Sequence, residues 1–136
     1  MDFMKTIEVA TSGMRAQSGR MRIIAENVAN ADSTATKPGG DPYRRKIPTF
    51  QHHFDRALQA NVVDLGAVAR DESAFRERFE PGNPAADAQG KVKLPNVDSL
   101  VETMDMREAQ RSYEANLNVV TNTRRMISRT LDILKA

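Results

Sequence analysis

The chain of 136 residues contains no cysteine and no tryptophan, and aromatic residues make up only 5% of it. The absence of cysteine excludes disulfides and thiolate metal sites, and it leaves the redox compartment open. With a hydrophobic fraction of 40% and so few aromatic rings, the sequence offers modest material for a compact core. The formal net charge is +2, so the charge balance by itself is poor evidence for a nucleic-acid partner.

Long apolar runs are also absent, and no segment is apolar enough to cross a bilayer. The N-terminus carries charges at Asp2, Lys5 and Glu8 with no continuous apolar stretch between them, so we expect no cleaved signal peptide. If the protein leaves the cytoplasm, the expected route is one that needs no such signal. The length corresponds to one domain or one elongated module.

The C-terminal forty residues, from Asn96 to Ala136, carry a heptad pattern that predicts a long helix. Apolar residues recur at gaps of three and four, which is the seam of a coiled coil. Pro95 precedes the helix, and Asp98 or Ser99 can cap it; Ser99 and Glu102 also have the spacing of a capping box. At about 1.5 Å per residue the helix would be roughly 55 Å long. The first line of the seam is Met106, Tyr113, Val120, Ile127 and Leu134, and the companion line is Gln110, Leu117, Arg124 and Leu131.

The N-terminal segment from Phe3 to about Ala31 repeats this pattern. One line consists of Ile7, Met14, Met21 and Val28, and the other of Phe3, Ala10, Gln17, Ile24 and Ala31. One interpretation is an ordinary amphipathic helix on a globular core. The alternative, favoured by the matching periods, is that the terminal helices pair with each other and with copies of themselves. The polar seam residues Gln17, Gln110 and Arg124 would then fix the register.

The middle of the chain predicts a small irregular insert that contains β-structure. Residues 32–43 have the glycines and prolines of a loop. We expect an edge strand within Tyr43–Phe54, a short helical turn in place of extended structure at His53–Val63, and a strand within Val62–Ala69. Phe75–Phe79 is ambiguous between helix and strand. Glu80–Pro84 predicts a turn and Lys91–Leu94 a short strand.

Together these patterns predict a mainly α fold: two long terminal helices paired as an antiparallel coiled coil, with the insert between them. The expected regions are 1–33 for the N-terminal helix, 34–96 for the insert and 97–136 for the C-terminal helix. The proposed subunit-interface seam consists of Ile7, Met14, Met21, Val28, Met106, Tyr113, Leu117, Val120, Ile127, Leu131 and Leu134.

No pattern predicts catalysis, a metal site or a bound cofactor. His52 and His53 are adjacent, with Asp55 the only acid close by, which favours a solvated segment over a metal site. No arrangement of a nucleophile with a base is available, and Gly39-Gly40 lacks the lysine and spacing of a phosphate loop. We therefore expect a protein that is not an enzyme and binds no cofactor.

Three segments resemble those of bacterial flagellar basal-body rod proteins. Ala25–Ser33 is similar to the signature that closes their N-terminal helix, and Tyr113–Val120 to the Y-x-A-N segment of their C-terminal helix. Phe79–Gly90, continued by Lys93–Asp98, is similar to the subunits of the proximal rod in particular. The motif residues on which the resemblance depends are Asn27, Asn30, Pro81, Gly82, Pro84, Pro95, Asn96, Tyr113 and Asn116.

The resemblance implies a structural subunit that assembles helically into the hollow shaft of the proximal rod, which crosses the periplasm and transmits torque for motility. It implies as partners copies of the chain itself, the other rod proteins FlgB, FlgF and FlgG, the rod-base protein FliE, and the flagellar type III export apparatus. Neither nucleic acid nor membrane insertion is implied. The amides of Asn27 and Asn30 would cap carbonyls or bond a neighbouring subunit. The alternative function, from periodicity alone, is a helical adaptor or chaperone-like binding module.

Overall fold

The computed structural model describes residues 2–135, so Met1 and Ala136, at the outer ends of the predicted terminal regions, lie outside the described residues. Two long helices enclose the insert in sequence: α1, Phe3–Ala29, and α2, Ser99–Lys135. The strands are β1 Lys46–Ile47, β2 Phe50–Asp55, β3 Ala60–Leu65, β4 Ala69–Arg70, β5 Arg76–Phe79 and β6 Lys91–Leu94. The prediction of a mainly α fold with two terminal helices and a small β-containing insert is confirmed.

The chain forms two compact units, and each helix contributes to both. The first, called the hairpin unit below, contains the chain up to Met21, Pro48–Ala67 and the chain from Arg107 onward. The second, called the loop unit, contains Arg22–Ile47 and Val68–Met106. In the described chain from Asp2 to Lys135, no helix is both long and apolar enough to cross a membrane.

The strands form three antiparallel pairs: β1 with β4, β2 with β3, and β5 with β6. The β2–β3 hairpin pairs Phe50 with Leu65 at its open end and Asp55 with Ala60 next to its turn, where Gln59 has a φ of 51°. The short helical turn expected at His53–Val63 is therefore wrong, because these residues form the end of β2, a turn and the start of β3. His52 and His53 lie exposed on β2. The predicted Glu80–Pro84 turn is confirmed, because the Asn83 amide donates to the Glu80 carbonyl oxygen at 3.0 Å.

A carboxylate caps each helix. Asp2 Oδ1 accepts hydrogen bonds from the amides of Met4 and Lys5 at 3.2 and 3.3 Å. At α2 the cap is Asp98, whose Oδ1 accepts from the Leu100 amide at 2.9 Å. The capping box predicted for Ser99 and Glu102 is not formed, because the Glu102 carboxylate turns into the interior and binds other partners there.

Within the hairpin unit, α1 and α2 pack closely and run in opposite directions. A Cβ atom at Gly13 would lie only 2.9 Å from Asn116 Nδ2, and Arg20 Nη2 lies 3.2 Å from Glu108 Oε2. Residues nearer the end of α1 therefore contact residues nearer the start of α2. Gly13, which costs about 1 kcal/mol in helix propensity relative to alanine, permits the close approach.

The most buried line of α2 differs from the companion line expected from the sequence. Its members are small or polar: Glu102, Ala109 and Thr123 are buried, and Asn116 is half-buried. The line at Gln110, Leu117, Arg124 and Leu131 is exposed, with Leu117 at 44% and Leu131 at 50%. Because small side chains let the helix axes approach, the helix turns them inward and leaves larger apolar residues outside. Arg124, one of the polar residues expected to fix the register, is exposed as part of this line.

A second face of α1 in the hairpin unit, next to the one that meets α2, packs on the β2–β3 hairpin. Ser12 Oγ accepts a hydrogen bond from the Val63 amide at 3.2 Å, and both Ala16 and Val62 are buried. A Cβ atom at Gly19 would lie 2.9 Å from Leu65 Cδ2. Helix α1 is thus covered on two sides, whereas most of α2 is covered on one. This difference in coverage explains why α2 retains the larger share of exposed apolar side chains.

Replacing Gly13 with leucine is expected to lower the free energy of unfolding by about 2 kcal/mol, because the new side chain has no space beside Asn116. The loss should occur although leucine favours helices by about 1 kcal/mol over glycine. Urea unfolding followed by circular dichroism at 222 nm measures the effect. Ser18→Leu, at an exposed position of the same helix, is the control and should be neutral or slightly stabilising. Equal stability of the two variants would contradict the close contact.

Candidate functional site

The loop unit brings together a group of polar side chains from distant parts of the sequence, here called the polar cluster. Its members are Asn27 from the end of α1, Tyr43, Arg45 and Lys46 from the segment leading into β1, and Glu102 from the first turn of α2. Burying such groups costs free energy unless each one finds partners. The cluster therefore specifies how these segments fit together.

Asn27 is the centre of the polar cluster and is fully buried. Its Nδ2 donates to the Lys46 carbonyl oxygen at 2.8 Å and to Glu102 Oε2 at 3.1 Å. Its Oδ1 accepts hydrogen bonds from the Tyr43 hydroxyl at 2.8 Å and the Lys46 amide at 2.9 Å. An amide side chain has two donor hydrogens and two acceptor lone pairs, so every bonding position of Asn27 is used within the chain.

Glu102, also fully buried, is the anionic partner of Arg45. Arg45 Nε donates to Glu102 Oε1, while its terminal nitrogens lie 3.5 Å from Asp71 Oδ2 and 3.6 Å from Asp105 Oδ2. Desolvation by burial acts to lower the pKa of Arg45, but the hydrogen bond and charge of Glu102 outweigh it and raise that pKa. The guanidinium therefore stays charged and neutralises the buried carboxylate.

The Tyr43 phenol stays protonated at neutral pH. Burial, together with the negative charges of Glu26 and Glu102, raises the pKa of Tyr43 to about 12. The phenol is therefore a permanent donor to Asn27. Beside the cluster, hydrogen bonds from the Ser73 amide and hydroxyl, and then the charge of Arg45, hold the pKa of Asp71 below its usual range. Neither Tyr43 nor Asp71 therefore exchanges protons near neutral pH.

Two further motif asparagines bond the backbone of their own chain. Asn30 Nδ2 donates to the Glu26 carbonyl oxygen at 2.8 Å and so caps the end of α1. Asn96 Oδ1 accepts from the Arg45 amide at 2.8 Å, and its Nδ2 donates to the Asp71 carbonyl oxygen at 2.9 Å. Asn96 thereby joins the segment before α2 to the β1–β4 pair. The motif residues that occupy structured positions are thus mainly asparagines that bond backbone groups.

The other motif residues are distributed along the chain. Pro95 is buried, and its carbonyl oxygen accepts from Arg76 Nε at 3.1 Å. Pro81, Gly82 and Pro84 lie exposed in the turn after β5. Asn116 is half-buried against Gly13 and donates to the Ser112 carbonyl oxygen at 3.1 Å. The structure therefore does not bring the motif residues together into one site.

The seam residues divide into two groups by exposure. Half-buried members are Ile7, Met14, Met21, Met106, Tyr113, Val120 and Ile127; exposed members are Val28, Leu117, Leu131 and Leu134. Between residues 124 and 135, every residue except Ile127 is exposed. This end of α2 nevertheless carries an apolar surface, here called the tail stripe, formed by Met126, Ile127, Leu131, Ile133 and Leu134.

The tail stripe has the geometry of a surface that lacks its partner in the single chain. Ile127, Leu131 and Leu134 are separated by four and three residues and therefore share one face of the helix. Leu134 is 77% exposed and Ile133 76%. Fully burying a side chain of this size stabilises by about 1.5 to 3 kcal/mol.

Among residues 2–135, no group of three or more histidine, aspartate or glutamate side chains is arranged to hold a metal ion.

Of the members of the polar cluster, the sequence singled out only Asn27 as a motif residue. Glu102 was interpreted as part of a capping box, and Arg45 was given no role. The arginine pair diverges in the structure: Arg45 points to Glu102, whereas Arg44 stacks on Phe75 with 4.3 Å between the guanidinium carbon and the ring centre. Side chains alternate in direction along an extended segment, and this was the available signal that Arg44 and Arg45 point to different sides. The alternation does not indicate which of the two sides faces the interior.

The comparisons with known proteins match almost the whole chain. Residues 7–35 match the family described as flagella basal body rod protein, and residues 88–133 match the C-terminal region of flagellar basal body rod FlgEFG proteins. The matched segments contain the end of α1 with Asn27 and the whole of α2 up to residue 133. Asn27 and Glu102, the two members of the polar cluster that lie on helices, are both inside the matched segments.

Curated relatives cover the insert as well. The chain is 49% identical over 129 residues to the flagellar basal-body rod protein FlgC of Agrobacterium fabrum, covering 95% of this chain and 93% of the relative. It is 38% identical to FlgC of Salmonella typhimurium, covering 98% of both chains. FlgC of Bacillus subtilis is 34% identical, covering 96% of this chain and 97% of the relative. These relatives are structural rod proteins, which fits the expectation of a protein that is not an enzyme.

Replacing Glu102 with glutamine is expected to lower the free energy of unfolding by about 3 kcal/mol, because Arg45 loses its buried anionic partner. Urea unfolding followed by circular dichroism at 222 nm measures the change. The matched control is Glu108→Gln, which removes an equally charged side chain whose pair with Arg20 is 67% exposed on the glutamate side. The control should cost less than about 1 kcal/mol. Similar losses of unfolding free energy in both variants would show that the buried pair contributes no more to stability than the exposed pair.

Proposed function

This chain belongs to the flagellar basal-body rod protein family and is a structural subunit of the rod, and we propose that it builds the proximal part of that shaft. The apolar surfaces of its terminal helices pack against other subunits. The observation that supports the proposal is the tail stripe, an apolar surface on a helix end whose members are exposed except for the half-buried Ile127.

Leaving the tail stripe exposed to water costs free energy, and its apolar surface is suited to contact with neighbouring subunits. A helical segment of this length has marginal stability in water unless it packs on something. Contacts between different surfaces of identical subunits propagate as a helical filament when they do not close into a ring. Assembly would therefore supply the burial that the single chain lacks. The exposed seam residues Val28, Leu117, Leu131 and Leu134 face neighbouring subunits in this proposal.

The helix pair itself is proposed to be an antiparallel coiled coil. The buried and half-buried positions of α2 follow the heptad spacing of such a seam. They alternate between the line of Glu102, Ala109, Asn116 and Thr123 and the line of Met106, Tyr113, Val120 and Ile127. The half-buried seam residues of α1, Ile7, Met14 and Met21, are proposed to complete the contact. In the shaft, regions 1–33 and 97–136 form the inner helical layer, and region 34–96 lies further out.

The partners proposed for the chain follow from its place in the rod. They are copies of itself, the rod proteins FlgB, FlgF and FlgG, and FliE at the rod base. The chain is exported by the flagellar type III apparatus and is incorporated into the rod in the periplasm. It acts by transmitting torque, with no catalysis and no cofactor. The location in the flagellar basal body follows from the family.

Replacing Leu131 with aspartate is expected to abolish swimming, because a charge in the tail stripe cannot be buried against a neighbouring subunit without a partner. The variant replaces the chain in a strain that lacks its own copy, and motility in soft agar with electron microscopy of basal bodies measures the result. Since Leu131 is half exposed in the single chain, the variant should remain as soluble and abundant as the original.

The matched control is Ser128→Asp, which adds the same charge at an exposed polar position of the same helix. It should swim at nearly the original rate. Normal basal bodies in the Leu131→Asp strain would exclude the tail stripe from the assembly contact.

The last turns of α2 should be ordered by assembly. In the isolated monomer, amides of residues 124–135 are expected to exchange with solvent at rates within about tenfold of an unfolded peptide, because so little surface is buried there. Amides of residues 103–113, next to the polar cluster and the Gly13 contact, should exchange far more slowly. Hydrogen exchange measured by mass spectrometry on monomer and assembled rods makes the comparison. A tail that is equally protected in both states would show that it needs no partner.

A further inference from the structure

The loop unit contains a groove that the proposed function does not use, here called the cationic groove. Its volume is about 360 Å³, and its walls include Asp41, Tyr43, Arg44, Lys46, Arg70 and Phe75. Three of these side chains carry positive charge, and two are aromatic. The chain as a whole has a net charge of only +2, so the groove is a local concentration of positive charge.

Two of the cations lie directly opposite each other across a strand pair. Lys46 on β1 is the register partner of Arg70 on β4. Like charges in this position destabilise a sheet unless something lies between them or compensates them. Lys46 has a compensating partner in Glu26. In the described part of the chain, neither Arg70 nor Arg44 forms an ion pair with a carboxylate.

Arg44 is held in a fixed orientation that leaves part of its guanidinium available. Its Nη1 donates to the carbonyl oxygens of Asp71 at 2.9 Å and Ser73 at 3.2 Å. Its plane lies over the Phe75 ring at 4.3 Å. Carbonyl oxygens hold the group without neutralising its charge. A guanidinium fixed in this way presents its remaining N–H donors in the planar fork that matches a carboxylate.

The one acidic group in the walls is already engaged. Asp41 Oδ1 lies 2.9 Å from Lys93 Nζ. The hydrogen bond and charge of Lys93 contribute more than the charge of Arg44 to holding the pKa of Asp41 below its usual value. The negative charge of Asp41 beside the groove also opposes a doubly charged phosphate more strongly than it opposes a single carboxylate.

We propose that the cationic groove binds the carboxylate side chains of an acidic segment on a partner protein. The guanidinium groups of Arg44 and Arg70 bind the carboxylates, and the rings of Tyr43 and Phe75 contact the aliphatic parts of the segment. This contact is separate from the helical packing of the tail stripe. It assigns a partner chemistry to the insert, which the proposed function leaves without a role.

The test measures binding of a fluorescein-labelled oligoglutamate peptide to the full chain by fluorescence anisotropy at 50 and 150 mM salt. Oligoglutamine and a polyphosphate of equal length are the comparison probes. Arg70→Gln is the main variant, because Arg70 is exposed and its loss should leave the circular dichroism spectrum unchanged. Arg56→Gln is the matched control: it removes the same charge at an exposed position outside the groove walls.

The peptide is expected to bind saturably, and Arg70→Gln should weaken the affinity on the order of fivefold, as for one exposed charge pair. Arg56→Gln should leave the affinity unchanged, and oligoglutamine should not bind. Three results would each overturn the proposal. One is the absence of saturable peptide binding at millimolar concentration. The second is an equal loss in both variants, which indicates attraction by net charge alone. The third is tighter binding of polyphosphate with the same dependence on Arg70.

Discussion

The structure of the loop unit depends on the burial of Asn27 and Glu102, two polar side chains with no exposure to solvent. An unpaired polar group in this position costs about 1 to 3 kcal/mol, and an unpaired charge costs more. Asn27 avoids the cost by using all four of its bonding positions, and Glu102 by pairing with Arg45. Because the partners come from α1, the β1 segment and α2, only one arrangement of these segments satisfies them all. The network thus selects a conformation more than it adds stability.

The packing of the hairpin unit is constrained by the space between its two helices rather than by hydrogen bonds. The contact of Gly13 with Asn116, and the buried Ala109 and Thr123, let the two helices approach closely. The cost is that the larger apolar side chains of α2 remain outside. In an isolated domain that would be a defect, since exposed apolar surface favours association. In a rod subunit it leaves surface available for neighbouring copies.

The apolar surfaces of the helices and the cationic groove are proposed to have different roles within one short chain. Apolar contacts along the helices depend little on salt, whereas the cationic groove would depend on it strongly. The first kind provides burial over a large area, and the second provides discrimination between partners. Such a combination suits a subunit that must fill a defined place in a shaft made of related proteins.

Much of this protein could be predicted from its residues alone. The heptad lines predicted both helices, the residues around Asp98 predicted the start of α2, and Pro81 and Gly82 predicted a turn, because these signals depend on neighbours within a few residues. The motifs at Asn27–Asn30 and Tyr113–Asn116 predicted the family. The sequence could not show that α2 turns Ala109 and Thr123 inward in place of Leu117, since a helical period defines a face but not the partner that selects it. It also could not show that Glu102 leaves its cap for Arg45, or that Arg44 and Arg45 point to opposite sides. Those outcomes were decided by tertiary structure, because the partners are distant along the chain, 57 residues apart for Arg45 and Glu102 and 27 for Arg44 and Asp71. Only folding determines which side of a segment becomes the interior.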